Sequence, residues 1–298
     1  MNKEQIERII NRKMTTSGLV ETGIQGVQLF KVTEPIQCAP AVYEPSITAI
    51  VRGSKEAIWG GKKHLYDNNN YICCTMSMPI ETGTPETSPE NPLIGVYISL
   101  NSKLMTEVAL EMESAKSSHT ATNRQTPQGV LTATWDEPFL DALYRLLLLD
   151  EHSMDLAILG KSRLRELYYA ILNGPAGNSF KRAFGVGNEI ARSIEFLSSH
   201  LTETVTIEEL ANQIGMSRAV FHRKFKQATN MSPIQFIKSM RLNNAAMKIA
   251  EGTNVNVAAM DVGYISSSQF SREFKRMYGL SPKQWAKSKE TTESSALW

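Results

Sequence analysis

The sequence predicts two domains: an N-terminal antiparallel β-barrel with helices at its ends, and a C-terminal all-α domain of two helix-turn-helix units joined by a long helix. Three observations carry this reading. From Val27 to Leu100, short stretches rich in β-branched and aromatic residues alternate with Gly, Pro, Asp and Asn. Beyond residue 180 apolar residues recur at helical spacing. Within that second part, one order of small, aromatic and basic residues occurs twice. A chain of 298 residues suits about two domains, and 42% hydrophobic with 21% charged residues is the composition of a core-forming protein.

The first 25 residues read as a helix followed by a loose Thr- and Gly-rich segment. Strands are expected in VQLFKVTE, ITAIVRG, EAIWG, KHLYD and YICCTMSM, then in Leu93 to Leu100. Pro79 to Pro92, with four prolines, reads as a surface loop. Asn101 or Ser102 caps a helix through Leu104, Val108 and Met112, and AKSSHTATNRQTPQG after it is polar and irregular. Asp136 to Leu149 forms a helix with Pro138 in its first turn and Leu140, Leu143, Leu146 and Leu147 as its stripe. Another runs from about His152 to Leu172, with Leu156, Leu159, Leu164 and Leu167 toward a core. NGPAGNS at 173–179 breaks it, which sets the domains at 1–180 and 181–290, with 291–298 as a tail.

In the second domain Ile190, Ile194, Leu197 and Leu201 mark one buried stripe. Thr206 and Glu209 then spell a capping box flanked by Val205 and Leu210 as a hydrophobic staple. Ala211, Gly215, Ser217, Phe221, Phe225, Pro233 and Phe236 are answered by Ala259, Gly263, Ser266, Phe270, Phe274, Pro282 and Trp285. The offset is 48 residues up to the glycines and 49 from the serines onward, so the second copy holds one extra residue in its turn. In that copy Asn256 caps a short helix, Gly263 makes the turn, and Ser266 with Gln269 spells a second capping box. Pro233 to Ala250 forms one long helix between the copies, with Phe236, Ile237, Met240 and Ala245 inward.

Two such units place two recognition helices in successive major grooves of double-stranded DNA. With Phe221 and Phe225 inward, Ala219, His222, Arg223 and Lys226 face the groove; in the second copy the matching residues are Ser268, Ser271, Arg272 and Lys275. Arginine bonds bidentately to guanine, so Arg223 and Arg272 are the first candidates for base reading. Arg218, Lys224, Lys226, Lys275, Arg276 and Lys283 are candidates for phosphate, joined by the helix starts at Ser217 and Ser266. The charge agrees: residues 181–298 hold 16 Lys and Arg against 10 Asp and Glu, a net of +6, which leaves −4 in residues 1–180.

On these residues the C-terminal stretch, from about Ile190 to Lys287, resembles the DNA-binding domain of the AraC/XylS family of bacterial transcription regulators. The second copy keeps Ala259, Gly263, Tyr264, Ser268, Phe270, Arg272, Phe274, Lys275, Gly279, Pro282 and Trp285; the first keeps Leu210, Ala211, Met216, Ser217, Phe221, His222, Arg223, Phe225, Lys226, Ser232 and Pro233. It departs from the family's usual Gly at Asn230, which adopts a left-handed backbone conformation more readily than most residues. Residues 45–74 and 171–182 look like segments of the cupin-like sensor half of one branch of this family. The resemblance implies a cupin-like barrel with added helices that senses an unidentified small-molecule effector or dimerises, a homodimer as one assembly, and RNA polymerase as a further partner.

No phosphate-binding Gly-rich loop, CxxC pair or nucleophile elbow is present, and the barrel region has only His64, so neither enzymatic chemistry, a metal nor a cofactor is expected. The competing reading is a small-molecule-binding or enzymatic barrel whose helical part makes protein contacts. Cys38, Cys73 and Cys74 suit a reducing compartment, and with no apolar run of membrane-spanning length or signal segment the expectation is a cytoplasmic protein without membrane contact. Cys73 and Cys74 are adjacent in a strand and so point to opposite faces. Small hydrophobic filler is their simplest role; a thiol switch, with Cys38, is the alternative, and Trp59 and Tyr66 are candidates to line an effector cavity with Tyr71, Tyr97 and Phe30.

Overall fold

Ile6, Ile9 and Ile10 share one face of helix α1 (Lys3–Lys13) and are buried, which pins the start of the chain to the barrel. The computed structural model describes residues 3–115, 126–149, 153–185, 188–203 and 205–290. The tail, most of the polar segment after α2, and His152 lie outside the described residues.

Two antiparallel sheets follow. Strands β1 (Gly18–Glu21), β2 (Val27–Val32), β9 (Leu93–Ser99), β4 (Ser46–Arg52), β7 (Asn70–Cys74) and β10 (Val130–Thr134) stand in that order in the larger sheet. β3 (Ile36–Tyr43), β8 (Met78–Thr84), β5 (Ser54–Trp59) and β6 (Lys62–Asp67) make the smaller one. Side chains of both sheets, Leu29, Ile47, Val96, Ala57 and Ile80 among them, meet in one core, so the pair is a double-sheet barrel.

The sequence expectation differs here at five places, two of them strands it does not include, β3 and β10. The loose N-terminal segment contains β1, which pairs with β2 from Gly18↔Lys31 to Glu21↔Gln28. YICCTMSM is not one strand: β7 ends at Cys74, and Met78 already opens β8. Pro79 to Thr84, expected in a loop, is instead a strand paired on both sides, with β3 and with β5. A proline is tolerated because Pro79 stands next to the strand's start, opposite Val42. Gly83 is needed because a Cβ there would stand 2.6 Å from the Cys38 nitrogen.

Helices cover the barrel. Asn101 caps α2 (Ser102–Ser114) by accepting from the Leu104 amide, and Asp136 caps α3 (Glu137–Leu148) by accepting from that of Phe139, each cap contributing about 1 kcal/mol. α3 buries Phe139, Leu143, Leu146 and Leu147. In α4 (Ser153–Asn173) Leu167 is buried and Leu156 and Leu164 are half-buried, but Leu159 is exposed because the first half of the helix stands away from the core. The break at Asn173 is brief: α5 (Gly177–Phe184) resumes within NGPAGNS and buries Phe180, Ala183 and Phe184.

The second half is helical: α6 (Glu189–Ser199), α7 (Ile207–Gln213), α8 (Arg218–Thr229), α9 (Pro233–Ala250), α10 (Val255–Asp261), α11 (Ser267–Tyr278) and α12 (Pro282–Glu290). The first helix-turn-helix is α7–α8 and the second α10–α11. Phe221, Phe225, Phe236 and Met240 belong to the core that runs on into the barrel, whereas Leu242, Ala245, Ala246, Ile249, Phe270, Phe274 and Trp285 form a separate core. α9 spans both.

Candidate nucleic-acid interface

Each reading helix is built by the same local chemistry. Thr206 and Glu209 close a full capping box on α7, and burial of Leu210 and Ala211 seats that helix. Ser217 then caps α8, whose end is the left-handed Asn230, φ 60°. In the second unit the cap of α10 is Asn254, not Asn256: the Asn254 side chain accepts from the Asn256 amide, so the helix begins two residues earlier than expected. Gly263 makes the turn at φ 86°, and a Cβ there would lie 2.9 Å from the Leu201 carbonyl oxygen. Ser266 accepts from the Gln269 backbone amide, but only this half of the box forms; the Gln269 side-chain nitrogen donates to Glu273. Ser232 with Gln235, and Ser281 with Gln284, make complete reciprocal caps before their prolines.

Phe221 and Phe225 pack with their ring centroids 5.5 Å apart, and Phe270 and Phe274 at 5.4 Å, so both recognition helices are anchored by the same inward pair. The opposite faces are open. Ala219, His222 and Arg223 are exposed on α8; on α11 Ser268 and Arg272 are exposed and Ser271 is half-buried. Of the phosphate candidates Ser217, Arg218, Lys226, Ser266, Lys275, Arg276 and Lys283 are exposed, and Lys224 is half-buried.

The basic residues divide by task. Among the described residues, none of Arg218, Arg223, Lys224, Lys226, Arg272, Lys275, Arg276 and Lys283 enters a salt bridge. On α9, by contrast, Lys238 pairs with Glu273 at 3.0 Å, Lys248 with Asp261 at 2.5 Å, and Arg241 donates to the carbonyl of Leu201 at 2.7 Å. The cations of the linking helix brace the two units, and those of α8 and α11 make no internal ion pair among the described residues. Glu273 also accepts from Tyr264 at 2.8 Å. Burial pushes the Glu273 carboxyl up, but the bonds from Tyr264, Lys238 and Gln269 outweigh it and hold the carboxyl below its ordinary value. With 18 residues, α9 spans about 27 Å between the two units.

The sensor-side candidates lie in different surroundings. Cys73 and Cys74 are both buried, on a strand paired along its two edges with β4 and β10. Burial raises both thiols, Cys73 well above the ordinary value, and Cys38 is raised by burial and by Glu56 beside it. That is the setting of small hydrophobic fillers, not of a ready thiolate. Tyr66 lies inside, its hydroxyl 3.3 Å from that of Tyr43, which also meets Thr82 at 2.9 Å. Trp59 stacks on His64 with ring centroids 3.5 Å apart, in a hairpin whose next residue, Gly60, meets Asn230 at the end of α8. Sequence reasoning missed Lys55, which is buried with its ammonium 5.3 Å from the centre of the Tyr43 ring and its pKa pushed well down by burial.

It also missed the joint between the halves. The Gly129 amide donates to the Ala228 carbonyl on α8 at 2.8 Å, and Thr126 meets Gln227 at 2.9 Å. Asn243 on α9, 1% exposed, donates to the carbonyls of Ala41 on β3 and Ile80 on β8. The one signal in the sequence is an amide interrupting the apolar stripe Phe236, Met240 and Ala246.

A barrel followed by a braced pair of helix-turn-helix units defines a class of two-domain DNA-binding regulators. The family described as the AraC-type transcriptional regulator N-terminus matches residues 23–179, and a helix-turn-helix domain family matches residues 210–288. The chain belongs to the AraC-type transcriptional regulators. It is 27% identical over 150 residues to the raffinose operon transcriptional regulatory protein RafR of Pediococcus pentosaceus, covering 50% of this chain and 54% of that one. It is 43% identical over 83 residues to an uncharacterized HTH-type transcriptional regulator of Haemophilus influenzae, covering 28% of each. The chain thus spans about half the length, or less, of these curated relatives. Among solved structures, ToxT from Vibrio cholerae with a bound unsaturated fatty acid shares the fold, with a TM-score of 0.55 at 10% identity over 87% of this chain and 94% of that one. Among the described residues no helix is long and apolar enough to cross a membrane, and no cluster of three or more His, Cys, Asp and Glu could hold a metal ion.

Proposed function

We propose that this chain is a sequence-specific transcription regulator in which α8 and α11 read promoter DNA and the barrel half alters that reading when it binds a small-molecule effector. The observation that carries the DNA-binding part is the pair of recognition helices, each anchored by two buried phenylalanines and each presenting arginine and lysine that no internal carboxylate engages. Arg223 and Arg272 read bases, with His222, Ala219, Ser268 and Ser271 beside them; Lys226, Lys275 and the helix starts at Ser217 and Ser266 hold phosphates. The joint at Gly129–Ala228 and Asn243 supports the coupling, since a shift of the smaller sheet, which bears Ala41 and Ile80, acts directly on α9. The bound fatty acid of the ToxT structure supports a small organic effector for a barrel of this fold.

The test is recovery of bound fragments from the whole genome by the purified protein and by its Arg223→Ala, Arg272→Ala double variant. A shared motif, recovered by the protein and lost in the variant, is expected. Recovery without a common motif would reduce the helical half to a non-specific DNA-coating domain.

A further inference from the structure

The extra residue in the second helix-turn-helix turn can now be assigned. Met216 and Tyr264 are equivalent, because each amide donates to the carbonyl of the matching alanine, Ala211 at 2.9 Å and Ala259 at 3.0 Å. Ser217 and Ser266 are equivalent as caps. The residue left over is Ile265. Met216 packs against the core, and Tyr264 is buried against Phe270, but Ile265 is 103% exposed. The turn thus holds a large β-branched side chain fully out in solvent, immediately before the helix start that enters a groove.

Its surroundings point it at DNA. Ile265 to Gln269 are five consecutive exposed residues at the start of α11, the part of a recognition helix that meets base edges. Ile265 also lines a groove of about 540 Å³ between the two units, together with Arg218 at the start of α8, Ile234 and Gln269. A duplex lying across both units covers that groove. An isoleucine offers no hydrogen bond, so a phosphate, a cytosine amino group or a guanine oxygen pressed against it loses water without replacement. The one major-groove feature that gains by the contact is the C5-methyl of thymine.

We propose that Ile265 is a specificity-determining residue that packs on a thymine methyl at the edge of the half-site read by α11, selecting T·A there and rejecting the other pairs. This rests on the reading of the chain as a two-headed DNA-binding regulator. The experiment uses the full chain. Selection from a randomised duplex library gives the preferred site, and each thymine of that site is then replaced singly by deoxyuridine, which keeps the base pair and deletes only the methyl. One deoxyuridine in the α11 half-site is expected to weaken binding about three- to fivefold, the effect of unburying one methyl, and Ile265→Ser is expected to abolish that penalty while keeping all others. Its exposure leaves the thermal midpoint of Ile265→Ser unchanged. Sequence-specific binding whose base preferences and deoxyuridine penalties are the same in Ile265→Ser overturns the assignment alone. Absence of any sequence preference in the unmodified protein overturns the regulatory reading and the assignment together.

Discussion

The Tyr278 hydroxyl donates to Oδ1 of Asn243 at 2.6 Å, while Nδ2 of the same Asn243 donates to Ala41 at 2.7 Å and Ile80 at 2.9 Å. One buried amide therefore ties the second reading helix, the linking helix and two barrel strands. Each bond is of ordinary strength, but the group has no water to fall back on. Asn243→Ala leaves two carbonyls and a hydroxyl without this partner and is expected to destabilise the protein by about 2–4 kcal/mol. Denaturant unfolding measures the loss, and hydrogen exchange is expected to rise first at the α9–barrel contact. An unchanged midpoint would mean that water replaces the amide without cost.

The two kinds of basic residue on α11 should separate in a salt titration. Arg272→Ala is expected to lose about 1–3 kcal/mol of discrimination at one base position with little change in salt dependence. Lys275→Ala is expected to weaken specific and non-specific duplexes alike and to lower the salt slope by about one. Identical behaviour of the two variants would show that the reading face is assigned wrongly.

Glu273 gives a pH prediction. Its folded pKa lies below the model-compound value of 4.5, so its contribution is present above about pH 4.5 and is lost as pH falls through the lower folded value. Glu273→Gln is expected to be less stable than the native chain near neutral pH, by about 1 kcal/mol for a partly exposed charged network, and the difference is expected to close in acid. Thermal midpoints of both proteins from pH 7 down to about 3 follow this. A gap that stays constant across the range would remove the carboxylate charge from the account.

The cysteines should be chemically quiet. At pH 8, alkylation by a thiolate-selective reagent is expected to reach half-buried Cys38 first and slowly, and Cys73 and Cys74 only on unfolding. Fast labelling of either buried thiol in the native protein would restore the redox switch as a possibility.

The helical half was legible because its signals are local. Thr206 with Glu209, Ser232 with Pro233, and the phenylalanine pairs four residues apart each specify one cap or one face, and the duplication repeats them. The barrel was read less well because strand pairing is not local. Pro79 to Thr84 carries the composition of a loop, and only its position between β3 and β5 makes it a central strand. Adjacent Cys73 and Cys74 do point to opposite faces, yet both are buried. The bonds of Asn243 to the barrel were hidden for a similar reason: these partners stand 163 and 202 residues away in the chain. Ile265 was counted in the sequence as an offset of one, and only its exposure gave it a role.

The split of hydrophobic cores along α9 has a mechanical consequence. The helix's side chains join the barrel's core up to Met240 and the second unit's core from Leu242, with Asn243 bonded back to the barrel, so twisting one reading head against the other means winding or unwinding a continuous helix. An added base pair between half-sites rotates one about the duplex axis by roughly 35° relative to the other, since a turn of B-DNA takes 10–10.5 pairs. A flexible tether would absorb that rotation cheaply. A hydrogen-bonded helix resists it, so, on the function proposed above, binding is expected to depend on the phasing of two half-sites.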